Sequence, residues 1–236
     1  MNERSSTARR RVVWLAVALV LLLGGAYAAD RIVLARTIAN LEEQIRAGLP
    51  EVSSDLSIDV DGVLFLPQVI GGTLDRAQIS ASSARINDLY LQDIHLELRQ
   101  VSVREPYGAQ AVNIDASAPG STVATAVQAA GVPEQITVTV QDSQLLAQAS
   151  VLGAPAQVVL VPEAAGRAIE ISLGQVSLAG AQLDIADLPE VIVDGLSGIE
   201  VELDQLPAGI QVQDIELDGE QMHLHLQGRQ VVFEDL

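Results

Sequence analysis

The sequence predicts an α+β fold that is mainly antiparallel β: a strongly curved, long-stranded sheet with one or two packed helices. Three observations predict it. From residue 55 onward, apolar and polar residues alternate with period two over most of the chain, as half-buried antiparallel strands require. Inside the longest stretches the alternation slips by one residue, as bulges or bends produce. Two other segments carry helical spacing instead.

The amino terminus comes first. Arg4, Arg9, Arg10 and Arg11 precede "VVWLAVALVLLLGGAYAA", an uncharged run from Val12 to Ala29. As a helix these residues would extend roughly 27 Å, marginally enough to cross a bilayer. The Ala26-Tyr27-Ala28 triplet also suits a cleavage site, so residues 1–29 read either as a signal peptide or as a single transmembrane anchor. Both readings leave the basic flank in the cytoplasm and put residues 30–236 outside it, on the extracytoplasmic face of the cytoplasmic membrane.

Leu34, Ile38, Leu41 and Ile45 are spaced four, three and four apart, which predicts an amphipathic helix over 30–48. Asp30 is its expected N-cap, and Gly48 with Pro50 its stop. From 55 to 236 the expectation is one curved β domain. Its strands are "LSIDV", "AQISAS", "LYLQDIHLELRQVSV", "AVNIDAS", "QITVTV", "AIEISLGQVSL", "IQVQDIEL" and "MHLHL". Within residues 89–103 the apolar phase moves from Leu89 and Leu91 to Ile94, Leu96 and Leu98, then to Val101 and Val103. Between Val212 and Ile215 it moves again. "STVATAVQAAG" predicts a short helix with Ser121 as cap and Val123 and Val127 facing inward, while "GAPAQVVLVPEAAGRA" reads as loop-like at both ends.

One stretch fits neither pattern. "VLFLPQVIGG" stays apolar on both faces, yet Pro67 and Gly71-Gly72 rule out a long helix interior. It therefore needs apolar company on more than one side. A buried crossover and a portal, with core on one side and lipid on the other, both satisfy that need.

Charge narrows the partners. The chain holds 13 arginines, no lysine and 31 acidic residues. The first 28 residues contain four of the arginines and one glutamate, leaving 9 basic against 30 acidic residues and a net charge of −21. Such a domain repels phosphate backbones, so nucleic acid is excluded as a partner. Contact with a membrane must rest on apolar burial or on the amino-terminal segment. The absence of cysteine removes disulfides, thiolate catalysis and a lipidated cysteine.

The residues show no catalytic constellation, metal site or cofactor motif. There is no phosphate loop, nucleophile elbow or His-Glu-x-x-His pair, and "GLSG" at 195–198 reads as a turn. His223 and His225 share a strand face with Gln221 and Gln227, and His95 shares one with Asp93, Glu97 and Arg99, which reads as polar surface. "DVDG" and "DIELDGE" lack the twelve-residue calcium-loop spacing. The residues thus predict no enzyme, no metal and no cofactor.

"DGVLFLPQVIGGTLDRAQIS" followed by "LYLQDIHLELRQVSV", and "QLPAGIQVQDIELDGEQMHLHLQGRQVVF" near the end, resemble motifs of the LmeA family of phospholipid-binding envelope proteins of actinobacteria. With the exported start, the resemblance covers nearly the whole chain. It departs at Leu64, where the family often has proline, and at Pro67. The resemblance implies a curved-sheet fold similar to tubular lipid-binding domains. It also implies a membrane-associated, non-catalytic phospholipid-binding role in cell-envelope glycolipid assembly or maintenance, with envelope glycosyltransferases as possible clients.

The physical requirement agrees with that implication. Two chains of about sixteen carbons need on the order of 20 kcal/mol of apolar shelter at ~0.8 kcal/mol per methylene. Leu64, Phe65, Leu66, Val69 and Ile70 are the expected portal, and Ile94, Leu96, Leu98, Val101 and Val103 the expected cavity wall. The competing expectation is a structural scaffold with a filled core that supports envelope enzymes through protein contacts.

Overall fold

The computed structural model describes residues 25–43, 52–62, 64–86, 89–151, 153–183, 196, 198–203 and 206–233. The architecture is mainly antiparallel β. Helix α1 (25–43) leads into β1 (Ser57–Asp61), α2 (Phe65–Gly71), β2 (Thr73–Ile86), β3 (Leu89–Ser102), β4 (Gly108–Pro119) and α3 (Gly120–Ala129). Then come β5 (Thr137–Gln141), β6 (Gln144–Val151), β7 (Ala154–Ala165), β8 (Ala168–Leu178), β9 (Ala181–Leu183), β10 (Ile199–Glu202), β11 (Ile210–Asp218) and β12 (Gln221–Val232).

Two sheets result, and among the described residues neither closes into a barrel. Sheet A runs β1-β2-β3-β4-β12-β11, and sheet B runs β10-β8-β7-β6-β5 with β9 on β8. The chain leaves sheet A through α3, builds sheet B, and returns so that β12 pairs with β4. The main core lies between the sheets. Val112, Leu226 and Val231 of sheet A meet Leu145, Leu160 and Ile171 of sheet B, with Val123 and Val127 of α3 set among them. Aliphatic side chains of this size each contribute about 1.5–3 kcal/mol when buried.

The predicted phase slips are real irregularities. The β3–β4 register shifts between Gln92 and His95, and Asp93 there has φ 48°. The β11–β12 register shifts between Val212 and Asp214. At the third slip Gln100 has φ 50° although the pairing on either side keeps its register. A further shift, between Val158 and Leu160 in β7, carries no comparable mark in the sequence.

The segment over 153–168 turns at Gly153 and at Gly166-Arg167, at both ends as expected, and strand β7 fills it between, with Pro162 beyond Leu160, the last residue that β7 pairs with β6. Two local expectations need correction. The third helix starts at Gly120 behind Pro119, so Ser121 is inside it rather than its cap. Gly120 is required there: an added Cβ would stand 2.7 Å from Val140 Cβ and 2.9 Å from the Glu220 carbonyl oxygen. The first helix is already formed at residue 25, which places Asp30 within it and not at its N-cap. Residues 44–48 of the predicted helix, and residues 12–24 of the predicted signal or anchor, lie outside the described residues. No helix among the described residues is long and apolar enough to cross a membrane.

Candidate functional site

An apolar slot opens between the two sheets beside α3. Leu89 and Leu91 of β3, Ala118 of β4, and Met222 and Leu224 of β12 form one wall. Leu145, Pro162, Ile169, Ile171, Val201 and Leu203, from sheet B and the end of β10, form the other. Thr122, Val123, Ala126 and Val127 of α3 close the side, and Thr122 is the only lining residue with a polar side chain.

The slot is a cavity of about 40 Å³. It is therefore narrow and unattractive to water, which needs polar partners. At roughly 30 Å³ per methylene, about one water's share of the liquid, a sixteen-carbon chain fills on the order of 500 Å³. The slot as it stands shelters only a small part of one such chain. A whole chain requires the sheets to part.

None of the ten expected site residues lines this slot. Leu96, Leu98 and Val101 belong to the intersheet core further along β3, Ile94 is half-buried, and Val103 packs near α2. The two β3 residues that do line it, Leu89 and Leu91, carry the apolar phase before the first slip. That phase was visible in the sequence, but its partner walls were not.

The "VLFLPQVIGG" stretch folds as α2. Pro67 sits in its first turn, where a missing N–H costs nothing, and Gly72 ends it in the left-handed region at φ 87°. Phe65 is 6% exposed and packs with Leu34 of α1 and Leu74 of β2, and Val69 is partly buried against the same cluster. Leu66 is half-buried, while Leu64 and Ile70 face out, at 39% and 74% exposure. The stretch is thus apolar on both sides because one side builds a small satellite core, as a crossover would, and the other remains uncovered.

Asp30 joins this helix to α1. Only 2% exposed, it accepts hydrogen bonds from the backbone N–H of Phe65 at 2.9 Å and of Leu66 at 2.6 Å. Burial pushes its carboxyl up, but those two donors and the adjacent Arg31 guanidinium outweigh that and hold it below the ordinary carboxylate value. A side chain from α1 therefore serves the two orphan amides that begin α2. The spacing in sequence is 35 residues, so no local capping signal could have announced it.

α2 adjoins the Thr73–Ser102 end of the β2–β3 pair, and the slot lies near its other end. From Ser102 to Leu91 the strand spans on the order of 35 Å at about 3.3 Å per residue. The structure does not bring the expected portal to the cavity.

The outer face of sheet A collects the three histidines. His223 Nδ1 is 2.9 Å from the Ser117 hydroxyl, whereas His225 Nδ1 is 2.6 Å from Asp115 and its Nε2 is 2.8 Å from Gln227. His95 pairs with Asp115 across the β3–β4 ladder. The serine and the carboxylate engage different imidazoles, so these contacts do not form a Ser-His-Asp relay. No group of three or more potential ligands among the described residues is arranged to hold a metal ion.

A family model described as LmeA-like phospholipid-binding matches residues 28–227 of the chain. No curated protein and no solved structure matches it.

Proposed function

The chain belongs to the LmeA-like phospholipid-binding family, and from that premise we propose that it is a non-catalytic, membrane-associated carrier that shelters an acyl chain in the intersheet slot. The slot is the observation that carries this reading. Its lining carries no polar side chain apart from Thr122. With the sheets parted, each methylene sheltered there contributes ~0.8 kcal/mol before ordering costs.

The membrane association follows from the position of Asp30. It stands one residue after the apolar run that ends at Ala29, and it is hydrogen-bonded to the start of α2. With that run in the cytoplasmic membrane, α2 rests at the extracytoplasmic interface, and Leu64 and Ile70 meet lipid there. Phe65, Leu66 and Val69 then support that contact from behind. Ile94, Leu96, Leu98, Val101 and Val103 form the apolar lining between interface and slot on a strongly curved sheet of tubular lipid-binding type. Lipid held in the slot is displaced from the bilayer, which suits presentation to an envelope glycosyltransferase in glycolipid assembly or maintenance.

Gentle extraction followed by native mass spectrometry tests the reading. The expected spectrum shows one phospholipid per chain. A spectrum of the bare chain alone, from membranes rich in phospholipid, overturns the carrier and favours the scaffold.

A further inference from the structure

Large apolar side chains left in water mark a contact surface when they gather in one place. Of the nine exposed ones among the described residues, eight lie on α1, α2, the β3–β4 loop or the end of β12, and only Val161 lies elsewhere. Those four elements meet. Asp30 of α1 holds the first amides of α2, the Val103 N–H donates to the Gly72 carbonyl behind α2 at 3.1 Å, and the Phe233 N–H donates to the Tyr107 carbonyl at 2.9 Å. The exposed Ile70, Tyr107 and Val232 are thereby brought to one end of sheet A.

The arginines gather at the same end. Acidic residues outnumber arginines 31 to 13 in the chain, yet six of the eight described arginines, Arg31, Arg36, Arg76, Arg99, Arg104 and Arg229, belong to these elements or to the strand ends beside them. Arg76, Arg99 and Arg229 share one row of sheet A, through the register pairs Arg76–Arg99, Arg99–Ala111 and Ala111–Arg229. Carboxylates hold the first two: Glu97 lies 3.1 Å from Arg76 and 2.6 Å from Arg99, and Asp61 lies 3.5 Å from Arg76. Arg229 is exposed with no ion-pair partner among the described residues, and Arg104 donates to the Ile70 carbonyl at 2.5 Å. Asp75 and Glu105 are exposed here as well, so the two signs are mixed at this end.

We propose that this end is a docking surface for a phospholipid bilayer, in which Tyr107 and Val232 enter the interface beside Ile70 while Arg104 and Arg229 bind lipid phosphates. Exposed apolar groups set among guanidinium groups match a layer that is hydrocarbon within and phosphate at its surface. A tyrosine suits that boundary. The occupant is a bilayer because the apolar run Val12–Ala29 ends one residue before Asp30, and Asp30 is tied to this surface. The proposal rests on the membrane association read from α2, adds two further points of contact, and does not depend on what the slot holds. Three points fix the tilt of the domain on the membrane, which a single helix leaves free.

The chain has no cysteine, so single nitroxide labels report on chosen positions without background. The test uses the full chain in phosphatidylcholine nanodiscs, labelled in turn at Ile70→Cys, Tyr107→Cys, Val232→Cys and Val161→Cys, with paramagnetic resonance reading accessibility to a nickel chelate in the water. The expected accessibility at 70, 107 and 232 is about threefold or more below that at 161. Arg229→Glu breaks no ion pair among the described residues, and it should raise the accessibility of the label at 232 toward that at 161 with Tm unchanged. Labels at 107 and 232 as open as that at 161, with 70 shielded, mean that α2 alone touches the bilayer and overturn the proposal. An open label at 70 overturns the α2 contact together with it. Shielding confined to discs that hold two chains, or a label at 232 indifferent to Arg229→Glu, also overturns it: in the first case a second copy covers the surface, and in the second no phosphate is held there.

Discussion

Filling the slot from α3 separates lipid carriage from every other property of the fold. Ala126 lines the slot and is half-buried, so a larger side chain there occupies the space that an acyl chain would need. Ala126→Leu adds three carbon atoms and Ala126→Phe adds six, roughly 90 and 180 Å³ at about 30 Å³ each. Each displaces a like number of methylenes from an acyl chain. At ~0.8 kcal/mol per methylene the losses are about 2.4 and 5 kcal/mol, or on the order of 50-fold and a few thousandfold in affinity. Overpacking costs the fold about 1–3 kcal/mol, a fall of several degrees in Tm for a chain of this size. The assay is displacement of a pyrene-labelled acyl probe, with thermal melts as the control for folding. Thr125→Phe, on the exposed side of the same helix, should leave acyl binding unchanged. Folded Ala126→Leu and Ala126→Phe variants that bind the probe as tightly as the parent would refute the slot as the binding site.

Phe65→Asp should lower Tm by roughly ten degrees or more, because an unpaired carboxylate among Leu34 and Leu74 costs several kcal/mol. Ile70→Asp, at a position 74% exposed, should barely move Tm but weaken attachment to vesicles; equal losses in the two variants would contradict the division of α2 into a packed and an open side. Asp30 gives a pH signature. Its carboxyl is held below the ordinary value of about 4, so the stabilisation it contributes is complete above that value and is lost as pH falls through the folded one. The Tm difference between the parent and Asp30→Asn should therefore shrink as pH falls below about 4, and a pH-independent difference would show that the charge plays no part.

The sequence by itself determined the class of the fold, because period-two alternation and its phase slips are local properties of strands. The bulges at Gln92–His95 and Val212–Asp214 were legible for that reason, as were the inward Val123 and Val127 of α3. The family was legible too, through short motifs spread along the chain. Only the tertiary structure decided where those elements meet. Alternation marks Leu89 and Leu91 as facing inward, but it does not say that sheet B and α3 stop short of them and leave a slot. An apolar run bounded by proline and glycine has the same composition whether it opens a cavity or packs a satellite core. The contact that ties it to α1, Asp30 on the amides of Phe65 and Leu66, joins residues more than thirty positions apart. Such contacts depend on chain folding over long separations, which local periodicity does not encode.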